Sequence, residues 1–273
     1  MKPSARLSLN QITTNRWSVA EACAGCARAG VGWIGLWRDK LAEAGGAAAA
    51  SALVRDSGLR VSSLCRGGFF PAASAGGRAE AIDDNRRAIE EAAALGTDVL
   101  VLVCGGLPDG SRDLVAARAM VADGIAAVVD DAAACGVRLG IEPLHPMFCA
   151  DRSVITTLGE ANELAFSLGD EVGVVVDAYH VWWDPRVEEE IARARILGFH
   201  VDDWVLPLPE GALLGRGLPG DGHADLARLF RAISAAGYTG PIEVEVLSDA
   251  VWAMPGDEVL ETLVGRIDAA LGV

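Results

Sequence analysis

Two kinds of hydrophobic pattern alternate along the chain. Short runs rich in β-branched and other apolar residues recur, and between them lie longer Ala-rich stretches with the spacing of amphipathic helices. The short runs predict strands at Arg6 to Asn10, Gly32 to Trp37, Arg60 to Cys65, Val99 to Cys104, Arg138 to Glu142, Gly173 to Asp177, Leu197 to His200 and Ile242 to Val246. The longer stretches predict helices at Ser18 to Ala29, Lys40 to Asp56, Arg78 to Leu95, Asp113 to Ala134, Leu158 to Leu168, Val187 to Ala194, Ala224 to Ala236 and Asp257 to Leu271. Several of these end near a glycine that precedes the next strand (Gly30, Gly58, Gly96, Gly136, Gly237), the usual C-terminal stop.

Strand and helix in strict alternation mark parallel βα units. Eight such units in 273 residues match a closed (β/α)8 TIM barrel, whose usual size is about 250 residues. No polar tract, charge block or Pro/Ser-rich linker divides the chain, so one domain over residues 1–273 is expected. The rival is an open doubly wound sheet, which would be favoured by a glycine fingerprint directly after a strand. The nearest stretch, Cys104-Gly105-Gly106-Leu107-Pro108, lacks the GxGxxG spacing and puts proline where a helix should open.

Composition narrows the choice of partners. A net charge of −15 repels phosphate backbones, whose binding rests on Lys and Arg, so nucleic acid is not expected as a partner. The longest apolar strand runs fall far short of the ~20 residues of a membrane span, so no membrane partner is expected either. Met1-Lys2-Pro3-Ser4-Ala5-Arg6 leads into a polar strand with no apolar signal region, which points to a cytoplasmic protein. The six cysteines are scattered, as reduced core thiols are. Cys23 and Cys26 form a CxxC with no second pair to complete a zinc site, so they are read as core. Whether the chain forms a homo-oligomer is left open.

In a β/α barrel the active site lies at the C-terminal strand ends, so polar residues that close apolar strands are the candidates. The fifth strand ends Leu139-Gly140-Ile141-Glu142, the sixth Val174-Val175-Val176-Asp177, the seventh Leu197-Gly198-Phe199-His200 and the eighth Ile242-Glu243-Val244-Glu245. Three carboxylates buried side by side repel one another, and a cation removes both that repulsion and the cost of burial. Three carboxylates and one imidazole form a hard donor set suited to one divalent ion, Mn²⁺, Mg²⁺ or Co²⁺, with Zn²⁺ also compatible.

The segments Gly140-Ile141-Glu142-Pro143, Asp177-Ala178-Tyr179-His180, His200-Val201-Asp202-Asp203 and Gly237-Tyr238-Thr239-Gly240-Pro241-Ile242-Glu243-Val244-Glu245 resemble the xylose isomerase-like barrel superfamily of sugar phosphate isomerases and epimerases. That group includes hydroxypyruvate isomerase, inosose isomerase, ketose epimerases and the more distant endonuclease IV. The resemblance implies metal ligation by Glu142, Asp177, His200 and Glu245, with Glu142 and Glu245 also forming the acid/base pair. It implies substrate contacts from His180, and from Arg216 in Arg216-Gly217-Leu218-Pro219-Gly220-Asp221-Gly222, which is similar to a substrate-binding loop of ketose epimerases. The implied activity is isomerisation or epimerisation of a small sugar-like carbonyl compound through an enediolate.

Other readings stand beside this one. Glu243 shares strand parity with Glu245 and competes for the ligand position. Asp202 either orients the ligands or is a loop acid; His145 and His223 are read as loop histidines. Arg66 either meets an anionic substrate or pairs with a nearby acid, and Trp182 and Trp183 cap a substrate or pack as a lid. A lyase or dehydratase shares the same enediolate, and a barrel that only binds a ligand is the non-enzymatic alternative. Endonuclease IV-type chemistry needs further histidines early in the barrel, where the first four strands have none.

Overall fold

The computed structural model describes residues 2–209 and 212–273. Eight parallel strands close into one barrel in chain order: Leu7–Asn10, Trp33–Trp37, Arg60–Gly68, Val99–Val103, Arg138–Glu142, Val172–Asp177, Ile196–Val201 and Ile242–Val244, the eighth pairing with both the seventh and the first. Every expected strand is present, and the fold is a (β/α)8 TIM barrel. The helices pack outside it, and most buried apolar side chains fill the layer between strands and helices.

Local sequence accounts for the helix ends. Ser18 with Glu21, and Thr157 with Glu160, form reciprocal capping boxes at the starts of Val19–Ala29 and Leu158–Leu168. Two expected helices are each broken in two. Lys40 to Asp56 divides into Arg38–Glu43 and Ala47–Asp56 because Gly45 and Gly46 take φ values of 88° and 102°, outside the right-handed helix. Asp113 to Ala134 divides into Leu114–Ala126 and Val129–Cys135 at Val128, which turns to φ −123° with its side chain fully buried.

The register of the sheet brings the candidate residues to neighbouring positions on the last four strands. Asp177 pairs directly with His200, His200 with Glu243, and Val103 with Glu142. Side chains alternate in and out along a strand, so Glu142, Asp177, His200, Glu243 and Glu245 share the inward parity of Asn10. Beneath them Cys65, Val101 and Val175 form a small apolar cluster. No helix among the described residues is long and apolar enough to cross a membrane.

One feature of the mouth had no signal in the hydrophobic pattern. Asp203–Trp204 pairs antiparallel with Arg216–Gly217, and this two-rung ladder brings the loop after the seventh strand back over the barrel. Val103, Leu144, Phe148, Tyr179 and Trp204 pack together above the strand ends and roof that side.

Candidate metal centre and active site

Asp177 ends the sixth strand and caps the short helix Ala178–Val181 by accepting the Tyr179 N–H at 2.8 Å. That helix carries His180 back over the barrel. Glu142 ends the fifth strand, His200 lies near the end of the seventh, and Glu245 follows the eighth with its N–H donated to Val201 O. One donor atom from each of Glu142, Asp177, His200 and Glu245 lies within 4.8 Å of all the others, and all four residues are buried.

The donor set fits a cation on internal grounds. Glu142 Oε1 and His200 Nδ1 face each other at 3.1 Å, yet both are buried without an aligned hydrogen-bond partner. Glu245 Oε2 lies 3.5 Å from the same Nδ1. On its other edge His200 directs Nε2 toward Glu243 Oε1 at 3.7 Å. With an ion bound at Nδ1, the ring would keep its one proton on Nε2, toward Glu243, and Glu142 and Glu245 would share that ion with it.

Glu243 is therefore on the far side of His200 and outside the four-ligand cluster. It is held by Asn10 Nδ2 at 2.7 Å, Ser62 Oγ at 2.7 Å and Ser63 Oγ at 3.0 Å. Gly35 makes room for it: a Cβ there would sit 1.9 Å from Glu243 Oε1. Asn10 also donates to Glu245 Oε1 at 3.0 Å and accepts from Trp37 Nε1 at 2.7 Å, so one amide spaces the two glutamates. Sequence reasoning passed over Asn10, although it closes the first strand as the four candidates close theirs.

Arg216 lies inside the cluster. Its Nη1 donates to Asp177 Oδ2 and Asp202 Oδ2 at 2.8 Å and to Glu245 Oε2 at 3.0 Å. Asp202 also accepts the Tyr179 N–H, so it is a buried orienting group rather than a loop acid. Nη2 of Arg216 lies 3.1 Å from His180 Nε2, while His180 Nδ1 accepts the His145 backbone N–H at 3.2 Å. A neutral imidazole has one lone pair for these two donors, so His180 and Arg216 together present an N–H without an acceptor.

The remaining sequence candidates divide. The His145 ring packs against Trp183 and Trp204 at centroid distances of 5.4 and 5.1 Å, and His223 Nδ1 lies 3.2 Å from Trp204 O. Trp183 donates to His180 O at 2.8 Å, which makes it packing for the His180 turn. Cys23 and Cys26 are buried free thiols, pushed up to about 11 and about 12 by burial.

The two cluster glutamates are driven apart in proton affinity. Burial, with help from the Glu245 charge, outweighs the pull of His200 and raises Glu142 to about 7. Burial raises Glu245 too, but His200 and Arg216 overcome it and hold the group at about 2. His180 is pushed well below its ordinary value by burial and by Arg216. His200 is likewise opposed by burial, but the surrounding Glu243, Glu245 and Glu142 hold it well above. Asp177 rises because burial outweighs Arg216.

Comparison with known proteins agrees with the architecture. Over 168 residues the chain is 30% identical to a 3-dehydroshikimate dehydratase of Pseudomonas aeruginosa, a match that takes in 59% of this chain and only 25% of that protein. It is 26% identical over 134 residues to an inosose isomerase of Halalkalibacterium halodurans, covering 46% of this chain and 45% of that one. Among solved structures, protein SMc04130 from Sinorhizobium meliloti 1021 superposes with a TM-score of 0.95 at 49% identity, over 98% of each chain. IOLI protein with a bound zinc atom superposes with a TM-score of 0.85 at 21% identity, over 99% of this chain and 98% of that one, which is a likeness of fold. The family model described as xylose isomerase-like TIM barrel matches residues 23–268, and the chain belongs to that family.

Proposed function

We propose that the chain is a divalent-metal-dependent isomerase or epimerase of a small polyhydroxylated carbonyl compound. Glu142, Asp177, His200 and Glu245 hold one ion, Glu142 and Glu245 move protons, and His180 and Arg216 bind substrate. The observation that carries this reading is the buried cluster of three carboxylates and one imidazole, each offering a donor atom within 4.8 Å of the others.

The donor set suits Mn²⁺, Mg²⁺ or Co²⁺, with Zn²⁺ also compatible. When bound, such an ion supplies Lewis-acid polarisation of a carbonyl and its neighbouring hydroxyl. The protein's own residues do the rest. Glu245, held in its charged form, receives a proton from the carbon beside the carbonyl. Glu142, on the other side of the cluster, returns one, and the roles exchange in the reverse reaction. Return to the neighbouring carbon is isomerisation, and return to the opposite face is epimerisation. His180 and Arg216 offer N–H groups to substrate oxygens, and the packed aromatic roof keeps water from that side.

Dehydration is the second reading, favoured by the match to 3-dehydroshikimate dehydratase. Its first step is the same, and expulsion of a β-hydroxyl replaces reprotonation. Six free cysteines suit a reducing, cytoplasmic setting, and the whole chain is taken to act as one domain. The test is incubation of Mn²⁺-loaded protein in D₂O with ketoses, inososes, hydroxypyruvate and 3-dehydroshikimate, following deuterium beside the carbonyl. Exchange without elimination supports the isomerase, loss of water supports the dehydratase, and absence of both across the panel refutes enolisation.

A further inference from the structure

A pocket opens above the cluster. It is lined by the polar groups Glu142, His180, Arg216 and Glu245, while Leu144, Leu213 and Leu247 are among its apolar walls. Two further arginines line it, Arg66 and Arg152. Arg66 comes from the third strand and Arg152 from the loop after the fifth, so the fold brings them to the pocket from separate units.

Neither arginine is neutralised in the way the others in the site are. Arg216 is held by three carboxylates, but Arg66 makes no hydrogen bond or ion pair to any described residue, although it is half-buried. It is fixed by stacking instead, with its guanidinium carbon 4.3 Å from the Phe69 ring centroid and 5.9 Å from that of Trp37. Phe69 holds that ring in place from a left-handed backbone, at φ 53°, which aromatic residues rarely adopt. Among the described residues, the Arg152 side chain has only its chain neighbour Asp151 within ion-pair reach, at 3.8 Å. Burial and the proximity of Arg152 both lower the pKa of Arg66, whereas the Asp39 and Glu142 charges favour the cation from beyond contact distance. In a chain with 38 acidic residues against 23 basic ones, acceptors for Arg66 are plentiful, yet none of the described residues supplies one.

A half-buried guanidinium with its fork unpaired by the described residues and a second cation beside it is suited to receive an anion. A neutral hydroxyl would satisfy one N–H and leave the repulsion in place. A planar or tetrahedral anion satisfies both arginines through paired, charge-assisted hydrogen bonds.

We infer that Arg66 and Arg152 form an anion subsite, and that the substrate is a small hydroxylated carbonyl compound bearing a carboxylate or phosphate opposite its reacting end. The inference rests on the proposed function for its second half; the anion subsite stands on the two arginines alone.

The test is calorimetric binding to Mn²⁺-loaded protein of two matched pairs, 3-dehydroshikimate with its methyl ester and D-fructose 6-phosphate with D-fructose. One anion should bind about 10- to 100-fold tighter than its neutral partner, the scale of charge-assisted hydrogen bonds, and the pair that shows this identifies carboxylate or phosphate. Arg66→Gln and Arg152→Gln should each reduce that preference at least about fivefold while leaving Mn²⁺ affinity intact, because neither residue belongs to the four-donor cluster. Equal binding within both pairs, or a preference that survives in both variants, overturns the inference. Failure of the functional reading looks different: protein that binds no Mn²⁺ loses the proposed chemistry, while an arginine-dependent anion preference measured in EDTA would still stand. Should Arg66→Gln not fold, Arg152→Gln decides alone.

Discussion

Glu142 offers the sharpest separation between stability and function. The perturbation is Glu142→Gln, which keeps the shape and removes the charge. In the metal-free protein the folded-state value is about 7 against an ordinary 4.5, because burial and the neighbouring Glu245 charge disfavour the carboxylate. A carboxyl raised on folding favours the native state at low pH and loses that advantage as pH rises from about 4.5 through about 7. The shift corresponds to about 3 kcal/mol of native-state cost at pH 8, and under about 1 kcal/mol at pH 5. Losing the 3.1 Å approach to His200 offsets part of the gain from neutralisation. Urea unfolding in EDTA should therefore find the variant more stable than the parent by about 1–3 kcal/mol at pH 8, with the difference fading at pH 5. Mn²⁺ should reverse the order: at 100 times its Kd it adds about 2.7 kcal/mol to the parent and far less to a variant with one ligand weakened. A variant less stable than the parent in EDTA at pH 8, or one stabilised equally by Mn²⁺, would refute the reasoning.

Three further outcomes follow from the same geometry. Arg216→Met leaves Asp177, Asp202 and Glu245 without their shared donor, and should cost about 3–5 kcal/mol in EDTA, with partial recovery in Mn²⁺, measured by chemical unfolding. Gly35→Ala drives a methyl group into the Glu243 carboxylate, and Glu243→Gln weakens its hold on the His200 ring; each should lower Mn²⁺ affinity about 10- to 100-fold by calorimetry, and unchanged affinity in both would deny Glu243 a positioning role. Glu245→Gln should slow deuterium exchange into a turned-over substrate by about 10²- to 10⁴-fold, and near-normal exchange would remove it from the acid/base pair.

Much of this architecture was legible in the sequence because barrel strands and their helices are written in local periodicity. The run Val174-Val175-Val176-Asp177 announces both a buried strand and a polar terminus, and the same logic located Glu142, His200 and Glu245. What stayed hidden depends on register and on loops. Parity alone could not separate Glu243 from Glu245; that needed the direct pairing of Glu243 with His200 and the space above Gly35. Asn10 looked like the end of a polar strand, and its role emerges only when the eighth strand closes against the first. Arg152 carries no periodic signal at all, since its place at the pocket is set by the path of the loop after the fifth strand. The two helix breaks were missed for different reasons: Gly45-Gly46 was visible but sat inside an Ala-rich run, while Val128 turns because its side chain is buried against neighbouring elements.

The central claim is that four side chains from the last four strands converge on a single ion. Anomalous diffraction from crystals grown with Mn²⁺ tests it most directly. One peak should appear about 2.1 Å from a donor atom of each of Glu142, Asp177, His200 and Glu245. The absence of a peak between these four residues, or a peak held by other side chains with the cluster bridged only by Arg216, would contradict it.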